Sequence, residues 1–254
     1  MTAMIDLHCH ILPGIDDGAP DLETSLKLAR QAVDDGITHI VATPHFRYPV
    51  DFAAQLSVRH AAADTLRKAL ANAGMPLTLS EGGEFQICEN ALGLLRQFPN
   101  ICYPAINDDG TPRAVLVELL PQSDVLRGGD FLFQAQLAED SPQIIVVAHP
   151  ERQPGFVEHA SQLAALLDRG LHLQFNATAF VQPFWHLGQS QITRTALSLM
   201  AHAPDQVYLA SDAHDPVMRP CRLSIAHKTI AHALGEDFWE KLTRDNPKQL
   251  LGNS

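Results

Sequence analysis

The chain has 254 residues, 46% of them hydrophobic, enough to bury a full core and expected to form a single domain over residues 1–254. With 18 basic against 29 acidic residues the formal net charge is −11, so a phosphate-rich polymer would meet repulsion and nucleic acid is an unsuitable partner. Four cysteines (Cys9, Cys88, Cys102, Cys221) without a Cys-x-x-Cys pair argue against a disulfide scaffold and a thiolate zinc site, and no apolar stretch reaches the ~20 residues that insert in a bilayer; a reducing, cytoplasmic setting is expected.

The first expected strand is MIDLHC, residues 4–9, within the longer stretch DLHCHILPGIDDG. A His-Cys pair there suggests a cysteine-dependent phosphatase, but that chemistry needs an arginine after five intervening residues, and the count from Cys9 reaches Ile15. Side chains alternate along a strand, so His8 and His10 project together while Cys9 points the other way, as a small core residue. Next comes a helical pattern, DLETSLKLARQAVDDG, with Asp21 as cap, Leu22, Leu26, Ala29 and Val33 on one face, and Gly36 as terminator. ITHIVAT (37–43) forms the second strand and delivers His45 in ATPH. After a helical pattern over 53–74, LTLSEGG (77–83) leads to Glu84. The polar segment YPAINDDGTPR (103–113) reads as a hairpin or loop before AVLVEL, whose end carries Glu118. IIVVAH (144–149) ends in His149 and is followed by Glu151 and Arg152; then come a helical pattern over 158–170 and the strand LHLQFN (171–176). The last strand, QVYLASD, brings Asp212 and His214.

Seven strands alternating with helices predict an α/β fold, a distorted, TIM-barrel-like (β/α)7 barrel, with a doubly wound open sheet as the alternative. Such a barrel presents the C-terminal ends of its strands at one rim, where six of the seven ends here carry carboxylates or histidines. Any one of them alone is more often a hydrogen-bonded structural group, and their coincidence is what points to a multi-metal site. The other eight histidines, His39, His60, His159, His172, His186, His202, His227 and His232, fall within strands, loops or helical patterns and are expected to be structural.

DLHCHILPGIDDG, TPH, GGE, VEL, AHPER, SDAH with RP five residues on, and NPKQLLGN together resemble the polymerase-and-histidinol-phosphatase (PHP) family over essentially the whole chain. Within it the likeness is closest to the manganese-dependent protein-tyrosine phosphatases of bacterial capsular and exopolysaccharide operons. The resemblance implies a PHP fold holding three divalent ions, manganese by likeness, with iron or zinc also compatible with a donor set that lacks thiolate. His8, His10, Glu84 and Asp212 would hold the first ion, Glu84, Glu118 and His149 the second, and Asp17, His45 and His214 the third, with Glu84 bridging the first two. Arg152 and Arg219 match the family's phosphate-binding positions. The aspartate at Asp17, often histidine in the wider family, favours the tyrosine-phosphatase branch. Gln86 departs from that branch, which commonly has arginine there, and the resemblance gives Asp16 no role.

The implied reaction is hydrolysis of a phosphomonoester by a metal-bridging hydroxide, with no protein nucleophile. Its substrate would be a phosphotyrosine protein, by likeness the tyrosine-rich tail of a polysaccharide-synthesis autokinase. A phenolate, with a pKa of about 10, leaves more readily than a sugar or serine alkoxide. The rivals are a small-molecule phosphatase such as one for histidinol phosphate, a metal-dependent amidohydrolase, and a non-catalytic module. Against the amidohydrolase, Lys27, Lys68, Lys228, Lys241 and Lys248 all fall in helical patterns, leaving no lysine at a strand end to bridge two ions. Against the module, every expected ligand is present.

Overall fold

Parallel strands covered on both faces are rich in β-branched and aliphatic residues, as in AVLVE and IIVVA, and the expected strands pair in parallel. The structure, a computed structural model, describes residues 3–47, 49–88, 90–119, 143–181 and 187–252; His186 lies outside them. Strands β1 (Met4–Cys9), β2 (Ile37–Ala42) and β4 (Thr78–Glu81) form one parallel sheet. A second parallel sheet runs β3 (His45–Phe46), β5 (Glu84–Gln86), β6 (Ala114–Glu118), β7 (Ile144–Ala148), β8 (His172–Asn176) and β9 (Val207–Ala210). Ala42 pairs with Glu81 and His45 with Glu84 at the same offset, so β3 continues β2 and β5 continues β4 across breaks at Thr43-Pro44 and Gly82-Gly83. At the other seam Asp212 N donates to His8 O (2.8 Å) and His10 N to Ala213 O (2.9 Å), joining the end of β9 to β1. The seven expected strands thus follow one another around a ring, held at this last seam by isolated bonds in place of a ladder.

Ile5, Leu7, Val41, Ala114, Leu116, Val146, Ala148 and Tyr208 form an inner cluster distinct from the larger one between strands and helices. Leu250 and Leu251 join it from the C-terminal segment. That segment is tied down by Asn246 Nδ2, which donates to the carbonyls of Pro204 and Val207, both at 2.8 Å. The NPKQLLG motif is therefore a plug for the ring.

Helix α1 (Leu22–Asp35) starts at Asp21, whose carboxylate accepts from Thr24 N at 2.8 Å, and stops at Gly36, which takes φ 91° where a side chain would be strained. Its fully buried face is Ser25, Leu28, Ala29 and Ala32; Leu22 and Leu26 are only partly buried and Val33 is at the margin. The expected face is thus rotated, because small residues let the helix approach the sheet closely and leave the larger ones at the edge. Helix α2 (Phe52–Asn72) is capped by Asp51. The segment 103–113 does make a hairpin, with Asn107 N bonded to Thr111 O and Ile106 bridged to Pro112. Among the described residues no helix is long and apolar enough to cross a membrane.

Candidate metal centre

The pairing of β1 with β2 is irregular between Asp6 and Cys9. Leu7 therefore belongs to the inner cluster while Cys9, two residues on, belongs to the outer one, and His8 and His10 turn to the rim beyond the break. Cys9 Sγ faces Cys221 Sγ at 3.9 Å, away from the histidines. The loop after β1 folds back through Gly14 N to Ala19 O (2.8 Å) and Ala19 N to His10 O (3.0 Å), carrying Asp16 and Asp17 to the same rim. At the ends of β7 and β9, His149 (φ 34°) and Asp212 (φ 51°) adopt the left-handed conformation, and among the described residues they are the non-glycine residues that do so. Side chains held in that region cost about 1–3 kcal/mol each and persist where surrounding structure enforces them, commonly at functional sites.

The structure brings all nine expected ligands together. His8 Nε2 lies 3.4 Å from Glu84 Oε2, 3.4 Å from Asp212 Oδ1 and 3.1 Å from His10 Nε2. His10 Nε2 is 3.3 Å from Glu84 Oε2 and 3.5 Å from Asp212 Oδ1. Bonds of about 2.1 Å to a tetrahedral ion imply ligand-to-ligand edges of about 3.4 Å, the spacing at which each imidazole nitrogen stands from each of the two carboxylate oxygens, and His8, His10 and Asp212 lie together as one candidate ligand group. Glu84 Oε2 and Asp212 Oδ1 are buried and make no hydrogen bond, as atoms awaiting a cation would. Asp17 Oδ1 lies 3.1 Å from His45 Nε2 and 3.5 Å from His214 Nε2, which gathers the third expected set, and His10 adjoins it. The second expected set is arranged differently: His149 groups with His8 and Glu84, whereas Glu118 groups with His45 and Glu84. Glu84 is common to both groups, with His149 Nε2 2.9 Å from Oε1 and His45 Nδ1, of the third expected set, 2.9 Å from Oε2.

Charge here is strongly biased. Burial alone would raise the carboxyl of Glu84, but the imidazoles of His8, His10, His149 and His45 hold it well below the usual carboxylate range. Burial likewise opposes charge on His8 and His10, yet the neighbouring carboxylates raise both imidazoles above their ordinary value. A buried cluster with this demand for positive charge, built of imidazole and carboxylate without thiolate, suits divalent ions such as Mn, Fe or Zn.

Several contributors were not foreseen. Asp16 Oδ2 accepts from His10 Nδ1 at 2.7 Å and from His45 N at 3.1 Å, which orients one ring and pins the next strand. Gln174 Oε1 accepts from His8 Nδ1 at 2.7 Å. Arg47 Nη2 lies 2.8 Å from His45 Nε2 and 3.5 Å from Glu118 Oε2; its spacing of two from His45 was the available signal. Of the expected arginines, Arg152 donates to Asp212 Oδ2 at 3.0 Å and Arg219 donates to the same oxygen. Both line a cavity of about 340 Å³ with Glu151, Asn176, Thr178, Ala179 and Ile192. Burial pushes the Glu151 carboxyl up to about 7. Gln86 stands in register with Glu118. Histidines expected to be structural do make structural bonds, His39 to Ser80 (2.8 Å) and His172 to Tyr208 (2.7 Å). All five lysines sit on helices, as expected.

A sequence model of the family described as capsular polysaccharide synthesis, CpsB/CapC, matches residues 4–252. Tyrosine-protein phosphatase YwqE of Bacillus subtilis is 33% identical over 98% of this chain and 92% of its own length. Tyrosine-protein phosphatase CpsB of Streptococcus pneumoniae is 26% identical over 98% of each. A crystal structure from work on YwqE of B. subtilis and CpsB of S. pneumoniae, described as metal-dependent tyrosine phosphatases, superposes with a TM-score of 0.77 at 31% identity, covering 99% of this chain and 95% of that one. The histidinol phosphate phosphatase of Lactococcus lactis, solved with zinc, L-histidinol and phosphate, shares the fold at a TM-score of 0.59 and 15% identity over 91% and 94% of the two chains. The chain belongs to the CpsB/CapC family.

Proposed function

We propose that this chain is a single-domain, metal-dependent protein-tyrosine phosphatase that acts in the control of capsular or exopolysaccharide synthesis. The observation that carries this reading is the pair of buried, unbonded carboxylate oxygens, Glu84 Oε2 and Asp212 Oδ1, facing the imidazoles of His8 and His10. Family membership supports the substrate class. Three divalent ions, manganese by family likeness, would be held by His8, His10, Glu84 and Asp212; by Glu84, Glu118 and His149; and by Asp17, His45 and His214. When bound, such ions neutralise a phosphomonoester and lower the pKa of a coordinated water toward ~7.

The chain's own groups do the rest. Asp16 and Gln174 fix the ring orientations of His10 and His8, so that Nε2 of each faces the cluster. Arg152 and Arg219, with side chains 52% and 31% exposed, share Asp212 Oδ2 and are free to turn toward an arriving phosphate, clamping it as planar guanidinium groups do. With Cys9 facing Cys221, its thiol is turned away from the candidate centre and no covalent step on Cys9 is required. The natural substrate would be a phosphotyrosine protein in the cytoplasm, the tail of a polysaccharide-synthesis autokinase being the candidate that the family likeness suggests. Glu84→Gln tests this reading: turnover of a phosphotyrosine peptide should fall at least a hundredfold and bound metal should drop. Full metal content and full rate in that variant would remove Glu84 from the reaction.

A further inference from the structure

One strand end, that of β8, brings no titratable group to the rim. Leu173 and Phe175 of this strand pack outward in the large core, so Gln174 and Asn176 face the candidate centre. Their amides form a directional chain. His8 Nδ1 donates to Gln174 Oε1 (2.7 Å), Gln174 Nε2 donates to Asn176 Oδ1 (2.9 Å), and Asn176 Nδ2 donates to Asp212 Oδ2 (2.7 Å). Reversing either amide would set donor against donor or acceptor against acceptor, so each orientation is dictated by the next. At one end His8 is left with Nε2 toward the cluster; at the other Asp212 is left with Oδ1 toward it, free of hydrogen bonds.

We propose that Gln174 and Asn176 are positioning residues that hold His8 and Asp212 in ligand orientation, and go on holding Asp212 when Arg152 and Arg219 turn to phosphate. This rests on the metal-dependent reading above. Asp212 Oδ2 has three donors, and they differ in freedom: the two guanidinium groups are partly exposed at the cavity mouth, whereas Asn176 is 5% exposed and Gln174 fully buried. Asn176 N also donates to Glu151 Oε1 at 3.0 Å, which pins the strand end itself. A phosphate that draws the arginines away therefore leaves Asp212 on its amide anchor. Such supporting hydrogen bonds commonly govern metal affinity by about 10–100-fold.

The test is manganese affinity of the chelator-stripped full chain by calorimetric titration, for wild type, Gln174→Leu and Asn176→Ala, with and without saturating inorganic phosphate. Both variants should bind manganese about 10–100-fold more weakly, while the melting temperature of the stripped protein stays within about 3 °C of wild type. The deficit of Asn176→Ala relative to wild type should grow at least threefold, roughly, once phosphate occupies the arginines. Affinities within twofold of wild type, a deficit indifferent to phosphate, or a weakening matched by collapse of the stripped protein would each overturn the proposal. A wild-type chain that binds no divalent ion would remove the metal reading and this proposal together; wild-type binding with unaffected variants removes this proposal alone.

Discussion

At the scale of single residues, the contrast between Cys9 and its two neighbours separates two kinds of phosphatase chemistry. Cys9 Sγ is buried against Cys221, and His10 Nε2 stands within 3.5 Å of two carboxylates. Cys9→Ser should leave turnover within about threefold, since a buried thiol facing away from the rim contributes only packing. His10→Ala should abolish turnover and lower bound metal. Parallel loss in both variants, read by steady-state kinetics and elemental analysis, would mean that the thiol takes part in the reaction. The alternation of β1 made His8 and His10 legible as a pair. It did not extend to Leu7, because the irregular pairing between Asp6 and Cys9 resets which face is inward. Nor could sequence reveal the left-handed backbone of His149 and Asp212, since neither residue type announces a positive φ as glycine does.

Individual elements were legible where burial leaves a strong pattern. The strands AVLVE and IIVVA are aliphatic runs because parallel strands at the centre of a sheet are covered on both faces, and the caps of α1 lie where Asp21 and Gly36 stand. The breaks that divide the second and third strands were less visible, although they aim His45 and Glu84. At the second break Gly83 passes so close to the ring of Phe46 that a Cβ there would lie 2.6 Å from Cδ2 and 3.1 Å from Ile101 Cγ2. Phe46 is buried and packed, so it cannot swing aside. Gly83→Ala should therefore cost about 1–3 kcal/mol of stability by overpacking and, by displacing Glu84, reduce metal content. Unchanged denaturant midpoint and metal content would show that the break tolerates a side chain. The silent rim position of β8 was missed for a related reason: amides carry no charge, and Gln174 and Asn176 in LHLQFN look like ordinary polar residues until the ring sets them between His8 and Asp212.

For the whole molecule, the rim concentrates charge while the opposite end is closed by packing, and the two ends answer differently to pH. His172 opens β8 and bonds Tyr208, and burial lowers its imidazole to about 4. The unfolded value is about 6.5, so between those values the unfolded chain binds the extra proton. The stabilisation is whole above about pH 6.5 and is lost as pH falls toward 4. Between pH 7 and pH 5 wild type should therefore lose about 2 kcal/mol more than His172→Asn, measured by urea unfolding of metal-free protein. Parallel losses would place the acid sensitivity elsewhere. The ring and the gathering of nine potential ligands at one rim follow from strand order, which is why both were legible together, whereas the plug comes from the C-terminal helix Asn246–Leu250 and was not.

On the proposed reading the rim hydrolyses phosphotyrosine with bound divalent ions. The most direct measurement is turnover of a phosphotyrosine peptide against histidinol phosphate by one manganese-loaded preparation, before and after chelation. The expected result is preference for the peptide, abolished by chelator and restored by added manganese. Turnover that survives complete removal of metal, or a clear preference for histidinol phosphate, would contradict it.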